Sequence, residues 1–358
     1  TCLSMSIVSV DASDEMLSGI ASIDASNDQL EGLLASLREQ NFFRLYSVDI
    51  LASCEYMPQE LFECYTESCE IYPVDEDEVP EDIRDIDAHE FDFELDGWAR
   101  MDMPSDDYYD TSQFPEEYTN YDGSEVWRFI HNRICFQEIN ENDEDWRADF
   151  NKAVSGLHSM ISAQIIKGIE DKEKNDELDD EDQWTDPVAE YERRLSPTGE
   201  TKHALDNLYF GYMLLLSAVG KAKQRLLEDC DSGKFDDDAA DKLKLVLNFA
   251  LLDDPAIEAA SVKLHDHAVK DKDSVRALWE ARMRTRELMR IMNCVQCNKC
   301  RLHGKISVLG LSTALQVLLG QTGEGGDPNK IHRVELAALM TTLAKFSSAI
   351  QYCTKISK

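Results

Sequence analysis

The sequence predicts an all-α protein with little strand and long acidic loops. Apolar residues recur at helical spacing over several long segments. Acids and turn formers gather between those segments rather than punctuating short alternating runs. With 43% hydrophobic residues over 358 positions, the chain can bury a sizeable core. No repeat is visible, and the length fits a single domain, 1–358.

Residues 1–53 read mostly as helix. Ile23-Asp24-Ala25-Ser26 offers capping residues, and Leu30, Leu33, Leu34 and Leu37 follow on one face. Phe42–Ile50 alternates and reads as a short strand. Residues 54–123 are rich in Asp, Glu, Pro, Tyr and Gly and read as irregular loops with short helices, the run Asp75–Asp87 being a solvated acidic stretch. Helical patterning returns over 124–169, where Val154, Leu157, Ile161, Ile165 and Ile169 form a stripe, and 170–186 reads as an acidic linker. Leu205–Leu227 is apolar on most sides, which places it near the centre. Ala239–Leu252 reads as another helix, and Val275–Met292 as an amphipathic basic one. Gly310–Leu319 and Val334–Ile350 close the chain as helices around a flexible loop at 320–330. The glycines of that loop follow no strand, so they make a poor phosphate cradle.

Charge excludes whole classes of function. There are 71 acids against 36 Lys+Arg, a formal net charge of −35 and a pI near 4.4. Binding to nucleic-acid phosphates or a polybasic grip on anionic lipid needs the opposite sign. No apolar run reaches the roughly 18 residues of a membrane span, so any membrane association is expected to be peripheral. No signal peptide is visible, and the start at Thr1 reads as a processed or trimmed chain. No Asn-x-Ser/Thr sequon occurs, and Thr354-Lys355-Ile356-Ser357-Lys358 forms no retrieval tag.

Ten cysteines are too few for a disulfide scaffold of this length, but their grouping is informative. Cys54, Cys64 and Cys69 form one group, and Cys294, Cys297 and Cys300 another. Cys2, Cys135, Cys230 and Cys353 are scattered. The CxxCxxC run at Cys294–Cys300 suits either thiol redox chemistry or metal ligation. An iron–sulfur site would want a fourth Cys followed by Pro, whereas Arg301-Leu302-His303-Gly304 follows; zinc could recruit His303. Residues 281–305 carry Arg282, Arg284, Arg286, Arg290, Lys299, Arg301 and Lys305 against Glu287 alone. Such cations lower a thiol pKa and favour the attacking thiolate. Cys64 and Cys69 sit among acidic, turn-prone neighbours. One exposed pair and one pair beside a cationic helix suggest a relay by thiol–disulfide exchange. Its terminal acceptor must be a cofactor, flavin being the usual choice.

These residues resemble the endoplasmic reticulum oxidoreductin family, flavin-dependent thiol oxidases that recharge protein disulfide isomerase. The resemblance runs from about Ile23 to Ile350. It is carried by Arg290-Ile291-Met292-Asn293 leading into Cys294–Cys300 and Arg301-Leu302-His303-Gly304-Lys305, and by Gly310-Leu311-Ser312-Thr313-Ala314-Leu315. Tyr118-Thr119-Asn120-Tyr121-Asp122-Gly123, Ser155-Gly156-Leu157-His158, Asn207-Leu208-Tyr209-Phe210 and the order of the cysteines add to it. It implies a central helical bundle holding FAD. It also implies a Cys64–Cys69 shuttle pair on a loop spanning 54–95, a Cys297–Cys300 active-site pair beside FAD with Cys300 nearest the ring, and a structural Cys54–Cys294 disulfide. Thr119, Trp127, Ser155, His158 and Arg194 fall where the family contacts FAD. Taken alone, Trp127 and His158 would read as core residues.

By this resemblance, electrons pass from reduced protein disulfide isomerase through both pairs to FAD and then to O2, giving H2O2. The setting is the endoplasmic reticulum lumen, and the purpose is oxidative protein folding. Tyr65, Ile71 and Tyr72 are candidate apolar contacts for the isomerase. The chain departs from the family pattern at Glu117 and Ala204, where cations are expected; Lys202, His203 or an arginine of the 282–290 helix could substitute. Val74 occupies the nearest candidate position for a regulatory cysteine, so an inhibitory exchange with the shuttle pair is expected to be missing. The alternatives are a small sulfhydryl oxidase of the other flavin class, or a non-enzymatic acidic protein with a zinc or iron–sulfur site at Cys294–Cys300.

Overall fold

A computed structural model describes residues 14–40, 43, 146–174, 187–195, 203–270, 277, 280–282, 284–285, 288, 298–320, 331 and 333–356. The described elements are α1 (Asp14–Arg38), α2 (Trp146–Lys174), α3 (Pro187–Arg194), α4 (Ala204–Asp231), α5 (Asp237–Leu247), a 3-10 turn (Ala250–Asp253), α6 (Pro255–Lys270), α7 (Asn298–Leu319) and α8 (Arg333–Ile356). No strand occurs among the described residues. The all-α class is therefore as the sequence predicts.

α4 is the central rod. Leu205, Leu208, Tyr209, Tyr212, Met213, Leu214, Leu215, Leu216, Ala218 and Val219 are all buried, so the helix is covered on every side over its first four turns. A helix apolar all round has to sit inside. α2, α6, α7, α5 and α8 pack on it, α7 and α8 pair closely with each other, and α1 lies across α8, α6 and α5. Leu30, Leu34 and Leu37 of α1 are buried, as their spacing predicts.

Two close approaches set the spacing of the bundle. At Gly156 of α2, a Cβ would overlap the carbonyl oxygen of Asn207, and it would stand 3.6 Å from the Cα of Gly211. At Gly310 of α7, a Cβ would overlap Thr342 Oγ1 on α8. Both helix pairs touch backbone to backbone at these points, which only a missing side chain permits.

A buried polar seam ties the first described helix to the last. Tyr212 donates its hydroxyl to Asn27 Oδ1 at 2.6 Å, and Ser347 donates to the same oxygen at 2.9 Å. Asn27 Nδ2 donates to the Ser347 carbonyl, also at 2.9 Å. The Asn27 amide thus has both ends occupied, as a group this buried requires. Tyr209 donates to Asp24 Oδ1 at 2.7 Å beside it.

The sequence expectations need four corrections. Ile23-Asp24-Ala25-Ser26 does not cap a helix; it lies inside α1, which starts at Asp14. At Phe43, the one described residue of Phe42–Ile50, the chain is helical and the ring is buried, not in a strand. The acidic linker begins later than residue 170, because α2 continues to Lys174. Ala239–Leu252 is two elements. Asn248 Nδ2 donates to the Lys244 carbonyl at 2.9 Å, offering the backbone an alternative to another helical turn, and the chain resumes as the 3-10 turn. Asp254 Oδ1 then accepts from the Ala256 amide at 2.8 Å and Pro255 starts α6, a helix start the apolar pattern hid. The 54–123 loops, the residues of 320–330 after Gly320 and most of Val275–Met292 lie outside the described residues.

Candidate active site

α2 carries the best-defined part of the site. Ser155 and His158 are one turn apart, hence on one face. Both are half-buried, while Gly156 and Leu157 beside them are buried. Asn207 Nδ2 donates to Ser155 Oγ at 3.0 Å. That bond uses an oxygen lone pair and leaves the Ser155 O–H to donate elsewhere. The Gly156 approach to Asn207 holds this turn of α2 hard against α4. Arg194 is the last residue of α3, whose helix packs on α2 through buried Tyr191 and Leu195. α2 therefore bears Ser155 and His158, and α3, which packs on α2, bears Arg194.

Cys300 is the third residue of α7. One turn later His303 is buried, and its Nε2 stands 3.1 Å from Gln164 Oε1 on α2. An amide oxygen only accepts, so Nε2 carries the hydrogen. His303, considered above for zinc, is thus a clasp between the start of α7 and α2. At the other end of α7, Lys221 of α4 donates to the Leu318 carbonyl at 3.0 Å, a cation on a helix C-terminus. Cys54, Cys64, Cys69, Thr119, Trp127, Cys294 and Cys297 lie outside the described residues.

The cationic island is less bare than its own stretch of sequence suggests. Arg147 of α2 donates from Nε and Nη2 to the two Glu280 oxygens, both at 2.7 Å, and Arg284 Nη2 reaches the same carboxylate at 3.2 Å. These two guanidiniums hold the Glu280 carboxyl below the usual range against the opposing effect of its partial burial. Arg282 has its pKa lowered by burial, with Glu335 of α8 opposing the shift. The two described arginines of the 282–290 helix therefore face carboxylates. His203 Nδ1 lies 3.7 Å from Asp206 Oδ2, so this neighbour of Ala204 points along its own helix.

Two features escaped the sequence reading. Cys230 and Cys353 are free and buried. Burial pushes the Cys353 thiol up to about 12, and the Cys230 thiol also upward. Neither is a competent nucleophile in the fold. The second feature is a buried pair, His267 Nδ1 on α6 and Asp149 Oδ2 on α2, 2.7 Å apart. The two are 118 residues apart in the chain, and nothing in the local pattern links them. Asp149→Leu is expected to cost about 3 kcal/mol, because it strands a buried imidazole, whereas Asp149→Leu with His267→Leu should cost far less. Urea midpoints for the singles and the double give the coupling directly.

The comparisons with known proteins agree with one another. The family model described as Endoplasmic Reticulum Oxidoreductin 1 matches residues 29–353. An Ero1-like protein of Drosophila melanogaster is 28% identical over 407 aligned positions, covering 88% of this chain and 83% of that one. Endoplasmic reticulum oxidoreductin-2 of Arabidopsis thaliana is 29% identical over 367 positions, covering 91% and 74%. A solved structure of Ero1p, described as a source of disulfide bonds for oxidative protein folding in the cell, superposes with a TM-score of 0.56 at 21% identity. It covers 95% of this chain and 98% of that one. With a bundle of that fold and a family match over nearly its whole length, this chain belongs to the endoplasmic reticulum oxidoreductin family of oxidoreductases.

Proposed function

We propose that the chain is an FAD-dependent thiol oxidase that recharges protein disulfide isomerase in the endoplasmic reticulum lumen. The observation that carries this reading is the placement of Cys300. It lies in the first turn of α7, which His303 clasps to α2, the helix bearing Ser155 and His158.

Reduced isomerase gives its two electrons to the Cys64–Cys69 disulfide, becoming oxidised as that pair becomes a dithiol. The dithiol then reduces Cys297–Cys300 by the same exchange and is restored to a disulfide. Cys54–Cys294 pins the segment carrying the shuttle pair to the segment entering α7. FAD, when bound, would supply the two-electron acceptor that links the inner dithiol to O2, with H2O2 as the product.

The described residues fit that cofactor. The Ser155 O–H, not committed to Asn207, is a donor for a phosphate or carbonyl oxygen. His158 offers a ring face one turn away, and Arg194 a cation on the neighbouring helix. Thr119 and Trp127 complete the set. With Glu117 and Ala204 in place of cations, and with His203, Arg282 and Arg284 all beside carboxylates, phosphate binding is left to Arg194, Lys202 and the remaining arginines of the 282–290 helix, Arg286 and Arg290.

The purified chain should be yellow and release FAD on denaturation. With reduced isomerase it should consume O2 and yield one H2O2 per disulfide formed. A colourless protein that retains zinc at Cys294–Cys300 would replace this reading with the metal-site one.

A further inference from the structure

Asn207 meets α2 twice. Its backbone carbonyl lies where a Cβ on Gly156 would stand, and its side chain reaches the preceding residue of α2, Ser155. Asn207 is the fourth residue of α4, and its backbone amide donates to the His203 carbonyl at 2.9 Å. The α4 helix and the glycine contact thus fix its backbone. The side chain is not needed to hold α2 against α4.

What that side chain touches is one hydroxyl. Asn207 Nδ2 donates to Ser155 Oγ at 3.0 Å, and among the described residues Ser155 donates to nothing. Other helix hydroxyls behave differently. Ser159, Ser307, Thr313 and Thr354 each donate to the carbonyl four residues back, at 2.8 to 3.1 Å. Back-bonding of this kind is how a hydroxyl inside a helix commonly satisfies itself. Ser155 has the same option at the Asn151 carbonyl and does not take it.

We propose that Asn207 is a positioning residue for FAD: it draws Ser155 Oγ away from its own helix, so that the Ser155 hydroxyl is left to donate to an acceptor oxygen of the cofactor. This deepens the reading of Ser155 as an FAD contact and rests on it. An amide nitrogen only donates. The hydroxyl facing it must turn a lone pair towards it, which sends the hydrogen elsewhere. A water or a second hydroxyl in that place could exchange roles and take the Ser155 hydrogen; the amide nitrogen cannot. With the amide removed, Ser155 turns back to the Asn151 carbonyl, as the other helix hydroxyls do, and its donor is withdrawn from the cofactor.

The test is a double-mutant cycle on the full chain: wild type, Asn207→Leu, Ser155→Ala and both together. Each protein is stripped of cofactor, its FAD dissociation constant is read by equilibrium dialysis, and its melting temperature is taken without FAD. Leu is close to Asn in shape and keeps the backbone carbonyl against Gly156, so the fold is expected to stand. Each single substitution should weaken FAD about tenfold, the scale of one hydrogen bond to a charged oxygen. The double should bind no more weakly than Ser155→Ala alone. Asn207→Asp is a second probe, of the same size. Its carboxylate only accepts, so it claims the Ser155 hydrogen. It should weaken FAD at least as much as Asn207→Leu, and by less on the Ser155→Ala background. Wild-type affinity in Asn207→Leu beside a weakened Ser155→Ala would overturn the inference. So would a loss in either Asn207 variant that recurs in full on the Ser155→Ala background, because the side chain would then act on the fold and not through Ser155. Both results leave the FAD contact standing. If Ser155→Ala binds FAD as tightly as the wild type, or the wild type binds none, the contact itself fails and this inference falls with it.

Discussion

Cys297→Ala is expected to bring isomerase-driven oxygen consumption to background, a loss on the order of a thousandfold or more. A single sulfur at Cys300 cannot close the disulfide through which both electrons leave the shuttle pair. Colour should survive, since Ser155 and His158 on α2 and Arg194 on α3 are left unchanged. Cys64→Ala provides the contrast. It should abolish turnover with isomerase while sparing turnover with a small dithiol that reaches the inner pair directly. Oxygen-electrode traces with both reductants separate the two defects. Persistent turnover in Cys297→Ala would place the inner pair elsewhere.

Gly156→Ala should disturb the candidate site directly. The added Cβ meets the Asn207 carbonyl oxygen, which belongs to the backbone and cannot rotate away. α2 must then lift from α4 at the turn that carries Ser155 and His158. Overpacking of this kind costs about 1–3 kcal/mol, or a fall of several degrees in melting temperature at roughly 2–4 °C per kcal/mol for a large domain. The same lift breaks the 3.0 Å bond from Asn207 to Ser155 Oγ. Cofactor retention should drop more than stability does, because two of the contacts proposed for it, Ser155 and His158, ride on the displaced turn. Equilibrium dialysis of FAD, read beside the melting curve, checks this. Gly32→Ala is the control: nothing lies within 4 Å of a Cβ there, and the change should leave both quantities near wild type.

The helices were legible wherever apolar spacing ran long. Leu30, Leu34 and Leu37, the Val154–Ile161 stripe and the all-round apolar face of Leu205–Val219 each fixed an element and its buried side. Ends were less legible. The break at Asn248 depends on one side chain bonding back to Lys244, which periodicity does not encode. α3 is eight residues of Pro187–Arg194, too short and too polar to stand out. In the candidate site, Ser155, His158, Arg194 and Cys300 came from motif order, and periodicity alone would have put His158 in the core. The pairings Arg147–Glu280, Asp149–His267 and Lys345–Ser307 were invisible, since each joins residues on different elements, 133, 118 and 38 positions apart, and leaves no local signature.

The Asn27–Ser347 seam joins residues 320 positions apart, and this bears on how the molecule is made. During synthesis α1 is made well before α8, the helix that covers it. Until α8 is made, α1 has no complete berth and must wait or be held by a chaperone. Cys353 shares that delay. Its thiol goes out of reach only when α8 docks, so slow closure would leave it open to thiol–disulfide exchange.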